Sequence, residues 1–464
     1  MVFSTNTFLF LFLPAVLIAY YIPFVRKRRK LSNFILTAAS IFFYAWGEPV
    51  YVLLMLFSIL MNWAFGLIVS KNSGTKKAKI AVALSAVINI SILFVFKYLT
   101  FILKNFNLIF NKNIDTLEIA LPIGISFFTF QAMSYVIDVY RGRGSAQKNP
   151  LNVALYISFF PQLIAGPIVR YETVAEEIMN RRETFDDFSS GAYRFAVGLC
   201  KKVILANNLA AVADLAFANE KPSVVMAWTG AIAYTLQIYF DFSGYSEMAI
   251  GLGRMFGFHF LENFNYPYIS KSITDFWRRW HMSLGTWFRD YVYIPLGGSR
   301  VDTKTRLVFN LFVTWALTGI WHGANWTFLV WGLLYFVLLT IEKLTKFHEK
   351  IGGFGHIYTM LFVILGWVLF RADSISAAVS YMGAMFGLTS NGLCDDLILT
   401  YLSYNKVYFI FGILACFPIQ KLIKPKISEK LYNVLSVIVL AALFVISISF
   451  MVKGSYNPFI YFNF

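Results

Sequence analysis

Residues 307–342 read LVFNLFVTWALTGIWHGANWTFLVWGLLYFVLLTIE. The run is too long for one membrane span, which needs about 20 apolar residues. Gly319, His322, Gly323 and Asn325 interrupt it. It reads as two half-depth helices or a re-entrant pair, with an ionisable side chain at membrane depth. Further apolar stretches fall near 7–24, 31–46, 49–70, 80–103, 119–140, 151–168, 190–216, 224–250, 355–371, 404–420 and 431–452. The stretch 151–168 is short and holds Pro161, Gly166 and Pro167, so it reads as re-entrant too. The fold class that follows is an all-α polytopic integral membrane protein.

Composition agrees. Of 464 residues, 58% are hydrophobic and only 14% charged, against about 25% charged in soluble proteins. The length would admit two or three soluble domains. No polar, Pro/Gly-rich linker divides the chain, so 1–464 reads as one membrane domain. The first run, 7–24, lacks a basic leader and a small-residue cleavage site, and is expected to stay as the first span.

The net charge of +16 would suggest nucleic acid in a soluble protein. Here the basic residues sit between apolar runs, where they anchor loops at an anionic inner leaflet. The partner they imply is membrane lipid, not nucleic acid. The basic loops at 26–30 and 71–79, the segment 254–306 and the Lys-rich loop at 421–430 should be cytoplasmic, and 372–403, without Lys or Arg, outside. Both termini then fall outside. Cys200, Cys394 and Cys416 are scattered and form no disulfide or metal pattern. No H-E-x-x-H, G-x-S-x-G or P-loop occurs, and nothing calls for a metal.

Three stretches carry chemistry. In DFWRRWHMSLGTWFRDYVYIPLGGSR (275–300) bulky aromatics are combined with a cluster of arginines. A helix over 275–281 would make Asp275 and Arg279, and Trp277 and His281, i,i+4 neighbours. An interfacial helix explains the Trp and Arg, but not His281 ahead of a polar turn. Arg278 and Arg279 on the cytoplasmic side suit the phosphates of a coenzyme A donor. In TGIWHGANWTFLVWG (318–332) His322 lies inside an otherwise apolar run, flanked by Trp321 and Gly323. Histidine is the usual general base near neutral pH; a structural contact with a neighbouring helix is the alternative. In YTLQIYFDFSGYSEMAIGLG (234–253) Gln237, Asp241, Ser243 and Glu247 must face an aqueous path or polar partners.

With LPIGISFFTFQAMSYVIDVYRG (121–142), FFPQLIAGPIVRY (159–171), QIYFDFSGYSEMAIGLGRMFGF (237–258) and NFNYPYISKSITDFWRRWHMSLGTWFRDYVYIPLGGSR (263–300), these stretches resemble the membrane-bound O-acyltransferase family. They are closest to its bacterial branch that acetylates alginate and similar polysaccharides. The likeness covers most of the chain from about residue 120 on, with its core at 120–340. FWRRWHMSL and WHGANW are specific together and only suggestive singly. The resemblance implies a ring of about 11 transmembrane helices with re-entrant segments around a central tunnel, in the bacterial cytoplasmic membrane. It implies His322 as the catalytic residue and His281 as the second signature histidine, with Asp241, Asn325, Trp321, Arg278 and Arg279 along the substrate path. The implied donor is acetyl-CoA, and the implied partner an extracellular or periplasmic SGNH-type acyltransferase. D-Alanyl transfer to teichoic acid ranks second, and an envelope-precursor transporter is the rival outside enzymes.

The tail NPFIYFNF (457–464) reads on composition as an interfacial aromatic anchor. It also resembles the aromatic C-terminal motif of small partner proteins in the D-alanylation system. That likeness implies an acyl relay in which Tyr461 carries the group between enzymes.

Overall fold

A computed structural model describes residues 1–116, 119–454 and 456–458. Every element among them is helical. Seven helices have the length and apolarity to cross a membrane: Val52–Lys71, Lys76–Lys97, Phe185–Ala218, Trp326–Thr345, Phe354–Arg371, Asp396–Ala415 and Glu429–Val452. Phe8–Tyr21, Leu99–Phe110 and Ile375–Met385 are shorter apolar helices. Glu429–Val452 turns almost all of its apolar side chains outward, including Val437, Ile438 and Val445. A water-facing helix would hide that stripe; one facing lipid gains nothing by hiding it.

The chain divides into two compact units. The first comprises Met1–Phe195 and Ser246–Leu261. Its helices are joined by small-residue contacts and buried amides, the devices that hold helices together where lipid competes for apolar surface. Gly66 lets helix Val52–Lys71 approach the Tyr135 ring, which a Cβ would strike at 2.5 Å. Asn62 and Asn89 hydrogen-bond each other at 2.9 and 3.2 Å, and Ser85 donates to Asn62 at 3.0 Å. The stretch 151–168 forms the nine-residue helix Pro150–Ser158, one further turn and extended chain, buried from Asn152 onward. A helix that short cannot cross a bilayer.

The second unit comprises Ala196–Tyr245 and Glu262–Phe464, and both His281 and His322 lie in it. Residues 307–342 form a pair, as expected, but not of half-depth helices. They form two helices, Lys304–His322 and Trp326–Thr345, each about 30 Å long rather than half-depth. The reason is local: the polar break takes only residues 323–325, and the rest stays helical. The pair packs as a hairpin at glycine. A Cβ on Gly319 would lie 2.5 Å from the Phe328 carbonyl, and one on Gly332 would lie 2.5 Å from that of Trp315.

Candidate acyl-transfer site

The hairpin tip positions His322. Lys304–His322 ends there because Gly323 turns extended, and a Cβ at Gly323 would sit 2.2 Å from the Phe328 ring. Asn325 restarts the helix: its carbonyl oxygen accepts from the Thr327 N–H at 3.1 Å, and its amide donates to the Asp373 carbonyl at 2.9 Å. Asn325 is therefore the cap that shapes the tip. His322 is buried and boxed edge-on by Trp321, Trp331 and Phe370, at ring distances of 5.0, 4.9 and 5.2 Å.

His281 reaches the same place from the arginine-rich segment. Helix Ile273–Arg279 starts at Ser272, whose hydroxyl caps the Asp275 N–H at 3.0 Å. The expected helix over 275–281 stops two residues early. Trp280 is extended and His281 takes a left-handed backbone, φ 44° and ψ 52°. A non-glycine side chain holds that conformation only where its surroundings enforce it. Asp275 and Arg279 do pair, at 2.9 Å. Trp277 and His281 do not: Trp277 packs on Trp315, Trp331 and Tyr335, and His281 on Phe242 at 4.6 Å and Trp321 at 6.1 Å. Trp321 is thus a neighbour of both imidazoles.

The His281 ring is 2% exposed. Its Nδ1 lies 3.1 Å from the Asn263 side-chain oxygen, which also accepts from the Ser283 hydroxyl at 2.9 Å and the Ser283 N–H at 3.3 Å. Burial pushes its pKa down to about 3, so the ring is neutral. Arg279 is half-buried against Asp275, and Arg278 is exposed.

Asp241 sits in helix Val224–Met255 and forms a buried ion pair with Lys202 at 2.6 Å. Glu247, in the first unit, pairs with Arg194. Lys202 lies on a π-helical turn, Lys201–Ala206. Such bulges insert a residue and re-aim side chains, frequently at functional sites. Lys202 also donates to the Pro458 carbonyl. Asn207 donates to Asn457 at 3.3 Å, and the Tyr456 hydroxyl donates to Asp214 at 2.6 Å. The start of the tail therefore lies along helix Phe185–Ala218. Tyr461 itself falls outside the described residues.

Three contributors went unnoticed in the sequence: Lys202, Asn263 and Glu342. Fully buried Glu342 accepts from the N–H groups of Ile273 and Thr274 at 2.7 and 2.9 Å and from the Thr274 hydroxyl at 2.6 Å. It ties the helix after His322 to the start of the helix before His281, a placement that also suits the helix dipole. Lys202 and Glu342 were detectable as charges within apolar runs. Asn263, in a loop, gave no signal. Among the described residues no cluster of three or more metal-ligating side chains occurs.

The sequence profile of the membrane-bound O-acyltransferase family matches residues 38–382. The chain belongs to that family. It is an O-acyltransferase and a multi-pass membrane protein. It is 41% identical to the protein named "Probable alginate O-acetylase AlgI" of Pseudomonas putida, with both chains covered in full. It is 36% identical to the peptidoglycan O-acetyltransferase of Helicobacter pylori over 85% of this chain and 81% of that one. Against the teichoic acid D-alanyltransferase of Bacillus subtilis it is 32% identical, over 53% of this chain and 68% of that one.

Proposed function

We propose that this O-acyltransferase takes an acetyl group from cytoplasmic acetyl-CoA and passes it across the bacterial cytoplasmic membrane for O-acetylation of an envelope or exported polysaccharide. Relatives alike over most of the chain are named for O-acetylation of alginate or peptidoglycan, which supports an acetyl donor and a polysaccharide acceptor. The D-alanylating relative matches about half of the chain, which keeps that activity second.

The observation that carries the mechanism is His322 in its aromatic box with His281 beside the same indole. In this reading the His322 imidazole takes the proton of an acceptor hydroxyl as that oxygen attacks the thioester carbonyl. The C–S bond breaks, and the thiolate leaves with the proton from the imidazolium. The box excludes water, which would otherwise hydrolyse the thioester. Arg278 and Arg279 meet the phosphates of the coenzyme. Asp241, paired with Lys202, borders the path where the tail begins.

The acceptor hydroxyl in this reading is that of Tyr461, which passes its ester to an extracellular or periplasmic SGNH-type acyltransferase. The seating of residues 456–458 along the helix that carries Lys202 and Asn207 supports a tail anchored at the site. Tyr461→Phe removes only the hydroxyl. A relay loses polymer acetylation in that variant; wild-type acetylation reduces the tail to an anchor. Membranes given labelled acetyl-CoA should attach label covalently to tail or polymer. Labelled substrate crossing with the thioester intact identifies a transporter instead.

A further inference from the structure

The hydrogen bonds around His281 determine which of its nitrogens is basic. The Ser283 backbone N–H can only donate, so the Asn263 atom it meets at 3.3 Å is the carbonyl oxygen. The same oxygen lies 3.1 Å from His281 Nδ1. Two facing lone pairs at that distance repel, so Nδ1 carries the hydrogen and donates it. Ser283 Oγ, 2.9 Å from the oxygen and 3.5 Å from Nδ1, gives its own proton to Asn263 and does not compete. The His281 proton is therefore on Nδ1 and the lone pair on Nε2. That Nε2 is buried and has no hydrogen-bond partner among the described residues. A buried acceptor left without a donor costs about 1–3 kcal/mol, and such positions are usually completed by water or ligand.

The geometry assigns to Asn263 the role of positioning residue: it fixes His281 as the Nδ1–H tautomer, so that Nε2 stands as a hydrogen-bond acceptor for a protic group of the reacting substrates. The assignment rests on the reading of His281 as part of the acyl-transfer site. The left-handed backbone at residue 281 serves the same end. It swings the ring off the Ile273–Arg279 helix to where Asn263 and Ser283 hold its Nδ1 edge and Phe242 and Trp321 pack around it. The charged groups beside those partners are committed elsewhere: Asp241, next to Phe242, to Lys202, and Arg279 to Asp275. His322 packs against the same indole, Trp321. An orienting partner of this kind is typically worth tenfold or more in activity.

The test pairs two variants. Asn263→Asp keeps an acceptor at Nδ1 but sets a carboxylate against the ring, raising the pH at which the imidazole protonates by about one unit or more. The acid limb of the pH–rate profile for acetyl transfer should move up accordingly, with activity recovering toward wild type at high pH. Asn263→Leu removes the acceptor, and activity should fall about tenfold or more at every pH. A purely structural Asn263 predicts equal loss in both variants with no displaced limb, and that result overturns the assignment. Nitrogen-15 NMR of wild-type protein with labelled histidine reads the tautomer directly and needs no variant. Of five histidines, the resonance lost in His281→Asn should be neutral and protonated at Nδ1. An Nε2–H signal there sinks the proposal. A normal profile for Asn263→Asp beside an inactive His322→Ala refutes only the role of Asn263; an active His322→Ala refutes the catalytic reading itself.

Discussion

Buried charge decides the most sensitive single residues. The Lys202 and Asp241 side chains are each 2% exposed, so each depends on the other. Removing one partner of a buried pair costs about 3–5 kcal/mol, because it strands an uncompensated charge. Lys202→Met should therefore lower thermal stability in detergent sharply, and Lys202→Met with Asp241→Leu should recover much of the loss. A double variant no more stable than the single would show that the pair is not a closed couple. Fully buried Glu342 satisfies three donors, and Glu342→Ala should misplace His281 without touching His322. Sequence reading singled out both histidines as candidates because an ionisable group in an apolar or aromatic run is conspicuous. It missed Asn263 because a polar residue in a loop looks like every other loop residue until the chain folds back on it.

At the scale of elements, the helices were legible wherever apolarity ran unbroken. Phe354–Arg371 and Glu429–Val452 lie within a few residues of the stretches that foretold them. Helix breaks were harder. Apolar content cannot distinguish two half-depth helices from a hairpin of long ones, because the break needs only three residues. The stop at Trp280 was equally hidden, since it is imposed by tertiary contacts of His281 rather than by a proline or glycine. The hairpin makes a prediction: Gly332→Leu places a side chain where the Trp315 carbonyl stands 2.5 Å away. It should abolish activity and lower stability even though it touches neither histidine. Wild-type activity in that variant would contradict the close packing of the two helices.

In the first unit, His259 bridges Glu177 at 2.8 Å and Asp187 at 3.2 Å. Burial lowers its pKa, but the two carboxylates outweigh it and the net shift is upward. A raised histidine stabilises fully below its unfolded pKa, about 6.5. The contribution disappears as pH rises through the folded value. Melting temperature should thus decline across that window, and His259→Ala should flatten the decline. The group is about half exposed, so the effect is small.

For the whole molecule, the sequence carried the membrane class and the family, and the fold and comparisons agree with both. Topology follows from charge. The Lys- and Arg-rich loops resist translocation, so cysteines introduced at Ser73 and Ser299 should be shielded from an impermeant thiol reagent in intact cells. Labelling of both from outside would invert the orientation, and with it the direction of acyl flow.

The central claim is that acyl transfer passes through His322. The most direct measurement follows covalent attachment of label from labelled acetyl-CoA in membranes holding equal amounts of wild-type protein and His322→Ala. The account predicts incorporation by wild type and loss of at least about a hundredfold in the variant, the usual worth of a general base. Equal incorporation by the two would contradict it.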